Sequence, residues 1–196
     1  MKKILRRILP VLAIALITAA VSGFASAQSE FTTTYYTNNT APGAPAGMLR
    51  LSNDGASGGK LCAMIYVYAA NQSPEECCGC PVTKNGLVQE NVKTNLLGNT
   101  LTASAPNQGA IQIIATTDPG VCDPTSFTTS SLAHGLTVWT THIEDEVGTT
   151  FPISVTQNSP SKLSAKEMAT LQNDCLGVTS VGSGLGVCTC NAEATN

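Results

Sequence analysis

Three of the chain's eight cysteines fall within four residues, in Glu76-Cys77-Cys78-Gly79-Cys80-Pro81, and sulfur at that density has three chemistries open to it. Cys77 and Cys80 have the C-x-x-C spacing of a thiol-disulfide couple, which needs one thiolate held at low pKa, commonly by a helix N-terminus that follows. Here Pro81-Val82-Thr83-Lys84-Asn85-Gly86 follows, and that is turn chemistry. A soft thiolate site for zinc or copper(I), completed by Cys188-Thr189-Cys190, is the second chemistry. Its spacing matches no zinc module, and His134 and His142 lie far off in sequence. The third is cross-linking. Residues i and i+2 of a strand face the same way, so Cys188 with Cys190, and Cys78 with Cys80, each present two sulfurs side by side. The expected pattern joins these two clusters to each other. Cys62, Cys122 and Cys175 then share the remaining bonds with Cys77, since a ring between adjacent Cys77 and Cys78 would be strained. This reading assigns all eight cysteines to disulfides and assigns no catalytic residue, metal or cofactor.

The other reactive side chains are sparse. Hydrolysis by a nucleophile needs a base and an orienting acid, yet only His134 and His142 are present, and no serine sits in a G-x-S-x-G elbow. In Val138–Ile143, His142 alternates with Trp139 and Thr141, and the expectation for it is a surface or interface position. Gly55-Ala56-Ser57-Gly58-Gly59-Lys60 has the look of a phosphate loop, but Asp54 stands where the first glycine is required and Leu61 where a hydroxyl would hold magnesium. A hairpin turn is the expectation there. Glu144-Asp145-Glu146, and Asp118 with Asp123, are oxygen ligands suited to calcium but match no EF-hand, and an acidic turn that keeps strand edges apart accounts for them.

The elements that must position these residues are mostly strands. Short apolar runs parted by turn residues occur at Met48–Ser52, Leu61–Ala69, Ala110–Thr116, Leu136–Ile143 and Phe151–Thr156, so five or more strands are expected. Leu61–Tyr68 carries apolar residues on both faces and belongs inside its sheet. Pro152 consigns its strand to an edge or a bulge, in a hairpin with Leu136–Ile143 across Glu144–Thr149. One helix is legible: Ser164 and Glu167 make a capping box, Leu163 and Met168 a staple, and Met168, Leu171 and Cys175 share a face, with Gly177 as the expected stop. Gly182-Ser183-Gly184-Leu185-Gly186 then feeds an expected last strand, Val187–Cys190. No repeat and no strand-helix alternation argue for a parallel sheet. The fold class that follows is mainly β: an antiparallel β-sandwich with one short C-terminal helix, stapled by disulfides.

The first residues read as a secretory signal: Lys2, Lys3, Arg6 and Arg7, an apolar run Ile8–Val21, and a small-residue site Ala25-Ser26-Ala27. The organisation expected is residues 1–27 as signal peptide, 28–47 as a flexible arm or edge strand, 48–190 as the disulfide-stapled β domain, and 191–196 as a tail. Of the 196 residues, 169 follow the cleavage point. They keep six of the ten basic side chains against all thirteen acidic ones, a net charge of −7. That balance argues against nucleic acid or anionic lipid as partner, and the apolar run is too short for a stable membrane anchor. An even cysteine count beyond a signal fits an oxidising exterior: secreted, cell-surface or periplasmic.

Leu61-Cys62-Ala63-Met64-Ile65-Tyr66-Val67, Glu76-Cys77-Cys78-Gly79-Cys80-Pro81-Val82-Thr83 and Gly182-Ser183-Gly184-Leu185-Gly186-Val187-Cys188-Thr189-Cys190 together resemble a group of uncharacterised secreted cysteine-rich proteins of acidobacterial-type soil bacteria. The resemblance spans most of residues 61–190. It implies export and paired cysteines and carries no activity with it. The function expected is a non-catalytic extracellular structural, surface or binding module, whose arm at Glu30–Thr40 offers one route to a homo-oligomer or polymer by strand addition. The alternative is an exported enzyme: a thiol-disulfide oxidoreductase using Cys77 and Cys80, or a hydrolase assembled from distant loops.

Overall fold

The computed structural model describes residues 30–38, 41–102, 104–117, 120–144, 150–180 and 184–191. The signal segment 1–27, Asp118, Asp145, Glu146, Gly182, Ser183 and the end of the tail, 192–196, lie outside the described residues. Eight strands form among the described residues: β1 (Phe31–Thr37), β2 (Met48–Asn53), β3 (Leu61–Ala69), β4 (Pro74–Val82), β5 (Leu87–Asn91), β6 (Gln108–Thr117), β7 (Leu136–Ile143) and β8 (Ile153–Asn158). One α-helix, α1 (Ala165–Thr179), follows among the described residues. The strands make two four-stranded antiparallel sheets, ordered β1-β6-β3-β4 and β5-β2-β7-β8.

Side-chain alternation sorts residues into layers. In β3, Leu61, Ala63, Ile65 and Val67 point inward and meet Leu49, Leu51 and Val138 of the other sheet in the inter-sheet core. Cys62, Met64 and Tyr66 point outward, where Leu163, Leu171, Cys175 and Val178 of the helix and its approach cover them. Both faces of β3 are buried, which is why its sequence is apolar throughout and why it lies inside the sheet. Each fully buried leucine or isoleucine in these two cores contributes roughly 1.5–3 kcal/mol. Helix α1 starts as its sequence dictates: Ser164 is the N-cap and its side chain accepts a hydrogen bond from the Glu167 amide at 3.1 Å. It runs past Gly177, however, and ends at Thr179 with Ser180 as C-cap, because Leu171, Cys175 and Val178 continue the buried face for another turn.

β4 sorts its cysteines by the same rule. Cys78 and Cys80 pair with the inward-facing Ile65 and Ala63, whereas Cys77 pairs with the outward-facing Tyr66. The disulfides follow: Cys78–Cys188 and Cys80–Cys190 on the inner side, and Cys77–Cys175 to the helix on the outer side. Cys62–Cys122 is the fourth, and it draws the loop after β6 over the outer face. Between them sits Gly79. A Cβ there would overlap the Cys122 carbonyl, and backbone held by a cross-link cannot retreat. We expect Gly79→Ala to cost about 1–3 kcal/mol by overpacking. At this chain length that lowers the melting temperature by roughly 2–4 °C per kcal/mol in a thermal melt. An unchanged melting temperature would show that the loop yields.

Other expectations are corrected. The segment Val187–Cys190 is not a strand; it makes a single parallel bridge, Val187 to Cys77, and runs along β4 as a cover for that edge. Residues 54–60 are not a hairpin turn, because β2 and β3 belong to different sheets, and the turn carries the chain across the sandwich. Asn53, fully buried, donates to the carbonyls of Gly59 and Val82 and holds that crossing in place. Of the two alternatives for the arm, Phe31–Thr37 takes the edge strand, paired along its length with β6 and with Phe31 and Tyr36 buried. Glu30 fastens its start by accepting from the Leu163 amide at 3.2 Å. Donation of this segment to a neighbouring copy therefore requires β1 to leave β6 and re-expose those two rings.

Candidate functional site

The sulfur chemistry is settled first. None of the eight cysteines is free. Cys77 and Cys80, the C-x-x-C pair, are buried and bonded to Cys175 and Cys190, not to each other, so they form no redox couple in this fold. The sulfurs of Cys78, Cys80 and Cys190 lie within 4.8 Å of one another. All three are in disulfides and offer no thiolate to a metal.

His134 is exposed, and the fold uses only its backbone carbonyl, which accepts from the Ser57 hydroxyl at 2.6 Å. His142 departs from the surface position expected of it. It is fully buried, on the inward face of β7 with Val138 and Thr140, because the alternation that places Trp139 and Thr141 outside places it inside. Neither ring nitrogen has a hydrogen-bond partner among the described residues, so no nucleophile or orienting acid stands beside it. Burial pushes its pKa below the ordinary histidine value, against a smaller upward pull from Glu144. The ring is therefore a neutral plate, and the Tyr35 ring lies on it, with centroids 3.8 Å apart and planes within 10°. Asp123 spends one carboxylate oxygen on the Thr125 amide and hydroxyl, as a turn cap. Glu144 accepts from the Ser154 hydroxyl at 2.9 Å.

The side chains that do converge come from elements distant in sequence. A groove of ≈ 590 Å³ opens between helix α1 and the outer face of the first sheet, at the end where β1, β6 and β3 lie side by side. Strand register builds its floor: Tyr35, Ala110 and Tyr68 are direct partners across three strands, so two tyrosines flank a small residue in one row. Gln108 and Gln112 stand on the same face of β6, and Gln72 joins from the turn after β3. The helix supplies the opposite wall. Glu167, Thr170, Leu171 and Asp174 have the i, i+3, i+4, i+7 spacing of one face, beside the apolar stripe that docks on the sheet.

Several of these groups are held before any ligand arrives. The Tyr68 hydroxyl donates to Asp174 Oδ2 at 2.9 Å, tying floor to wall. Burial, followed by that hydrogen bond and the charge of Asp174, pushes the Tyr68 phenol far above its usual range, so it stays a donor. The Tyr36 hydroxyl donates to the Tyr68 carbonyl at 3.2 Å. Tyr35 lines the groove and is 51% exposed although one ring face is covered by His142. Among the described residues no lysine or arginine lines the groove, and it carries two carboxylates.

The arrangement offers Tyr35 and Tyr68, three glutamines, the Thr170 hydroxyl and two carboxylates along one groove. Glycosidic cleavage needs two carboxyl groups on either side of the bond, about 5–5.5 or 6.5–9.5 Å apart. Glu167 and Asp174 rise from the same wall, on one face of helix α1.

The local sequence signals pointed elsewhere: the cysteine cluster is scaffold, and none of Tyr35, Tyr68, Gln112 or Asp174 belongs to a motif. The helical spacing of Glu167, Thr170, Leu171 and Asp174 was the one available clue to the wall. No family model, curated protein or solved structure matches this chain.

Proposed function

We propose that this protein is a non-catalytic exported binding module that holds a small ligand between helix α1 and the outer face of its first sheet. The observation that carries the reading is the ≈ 590 Å³ groove, whose size falls within the range of ligand sites and whose walls are fastened by the Cys77–Cys175 disulfide and the Tyr68–Asp174 hydrogen bond. Four disulfides suit an oxidising exterior, and the basic-apolar-small pattern of residues 1–27 suits export to it. Cross-links that close long loops suit a protein that works without chaperones.

The experiment is a fragment-library screen by two-dimensional amide NMR on protein recovered from the culture fluid. Its intact mass should correspond to a chain beginning at Gln28 and lacking eight hydrogens relative to the reduced form. Fragment-induced shifts should cluster on the amides of Tyr35, Tyr68, Gln112 and Asp174, and Thr170→Trp, which fills the groove from the helix side, should abolish them. Shifts scattered over the surface, or none, would remove the binding reading, and protein retained in the cytoplasm with free thiols would remove the exported one.

A further inference from the structure

We propose that the groove takes a neutral glycan, the apolar face of one sugar ring lying on Tyr35 and its hydroxyls meeting the glutamines and the helix wall. The assignment rests on the reading of the groove as a ligand site and follows from what its walls can and cannot pair with.

Tyr35 is the first constraint. A half-exposed tyrosine usually swings freely, but this ring is backed by His142, a buried imidazole with no hydrogen-bond partner among the described residues. The stack limits that swing in a ring that lines the groove. A flat aromatic face carries a negative quadrupole, and it is met best by a surface of polarised C–H groups, which is what one side of a pyranose ring presents.

The polar complement is the second. Gln72, Gln108 and Gln112 each bring one acceptor and two donors, and Thr170 brings a hydroxyl. Sugar hydroxyls both donate and accept, so neighbouring pairs of them match an amide at both of its ends. Glu167 adds acceptor capacity, and so does the Asp174 oxygen that Tyr68 does not engage.

Charge is the third. Two carboxylates, with no lysine or arginine among the described residues of the lining, repel a phosphate, a sulfate or a uronate. An organic cation would satisfy the carboxylates and the tyrosine faces, but it has nothing to accept from three amide N–H₂ groups, which would lose water without gaining a partner. A neutral polyol uses both sets. The volume exceeds what a single ring fills, so an oligosaccharide, or a stretch of a polysaccharide, fits better than a free monosaccharide.

The test is titration calorimetry of the disulfide-intact exported protein with cellohexaose, xylohexaose, mannohexaose and laminarihexaose. Hexalysine and polygalacturonate serve as charged controls, each at low and high salt. We expect at least one neutral series to bind with an affinity that salt leaves unchanged. Tyr35→Ala should weaken it about five- to tenfold while Tyr35→Phe retains it, and Gln112→Ala should weaken it without altering the circular dichroism spectrum. Binding of hexalysine alone, falling with salt, would overturn the glycan assignment while leaving the groove a ligand site. Equal binding of polygalacturonate would overturn the charge argument, and so would a neutral ligand indifferent to both Tyr35→Ala and Gln112→Ala. No binding in any arm by a folded protein would overturn the assignment, and the fragment map then decides separately whether the groove binds anything.

Discussion

Reduction and capping of all eight cysteines should unfold this protein at room temperature, although its two cores are those of a chain large enough to fold without staples. The disulfides close loops of 60, 98, 110 and 110 residues. Loops of that length carry about 4–5 kcal/mol each in the chain-entropy limit. Their contributions do not add, because Cys77–Cys175, Cys78–Cys188 and Cys80–Cys190 start within four residues of one another and close loops that overlap over most of their length. Even about 2–4 kcal/mol from each independent closure consumes most of the roughly 5–15 kcal/mol by which a domain is stable. The single bonds should differ in what they release. Replacing Cys77 and Cys175 by alanine costs about 2–5 kcal/mol and frees the helix that forms one wall of the groove. Amide exchange in Ala165–Thr179 should then accelerate, and groove binding should fail before the sandwich melts. Replacing Cys62 and Cys122 should lower the urea midpoint comparably and leave exchange in the helix slow. Identical exchange in the two variants, or a reduced protein with native circular dichroism, would show that the packed layers suffice alone.

How much of this was legible in the sequence depends on whether a feature is local. The sandwich and the helix were, because period-two runs such as Leu61–Ala69 and the Ser164-Glu167 cap are written in neighbouring residues. The joining of the two cysteine clusters was too, since i and i+2 on a strand share a face whatever the fold. β4 was not read as a full strand: Pro74, Gly79 and Pro81 argue against one, and three cysteines offer no β-propensity to offset them. It stands because it is an edge strand, where prolines are tolerated, and because three disulfides hold it from both faces. β5, five residues with two apolar side chains, is too short to show a period. His142 was assigned to the wrong face because alternation gives two sets of residues without saying which set meets the core. The groove was beyond reach for a stronger reason. Tyr35, Tyr68, Gln112 and Asp174 meet only through the β1-β6-β3 register and the docking of α1, and both are set by contacts between residues far apart in the chain.

The remaining large effect is on pH dependence, and it arises from two buried carboxyls, Glu76 on β4 and Glu90 on β5. Glu76 accepts from the Asn99 amide at 2.6 Å, and Glu90 from the Asn191 amide at 2.9 Å, so each pins a segment of chain that has little other regular structure. Both are nearly inaccessible, and burial pushes each up to about 7, against the smaller downward pull of those hydrogen bonds. Below about 4.5 both states hold the protons and pH has no grip. Between about 4.5 and 7 the unfolded chain ionises and the folded one does not, so stability falls as pH rises, and the contribution is fully lost above about 7. The slope is up to about 1.4 kcal/mol per pH unit for each carboxyl, or roughly 3–6 °C of melting temperature per unit. His142 acts the other way. Its folded pKa is lowered, so its contribution is present above the ordinary value of 6.5 and is lost as pH falls below it. The two limbs place the stability maximum on the acid side of neutrality. Replacing Glu76 and Glu90 by glutamine fixes each in the shape of the protonated form. The double variant should melt above the native protein at pH 8, match it near pH 4.5, and lose the descending limb between, leaving only the His142 rise. A native melting temperature that climbs from pH 5 to pH 8, or a double variant that keeps the descending limb, would mean that these carboxyls ionise freely in the folded state and that the segments they pin are held more loosely than the hydrogen bonds indicate.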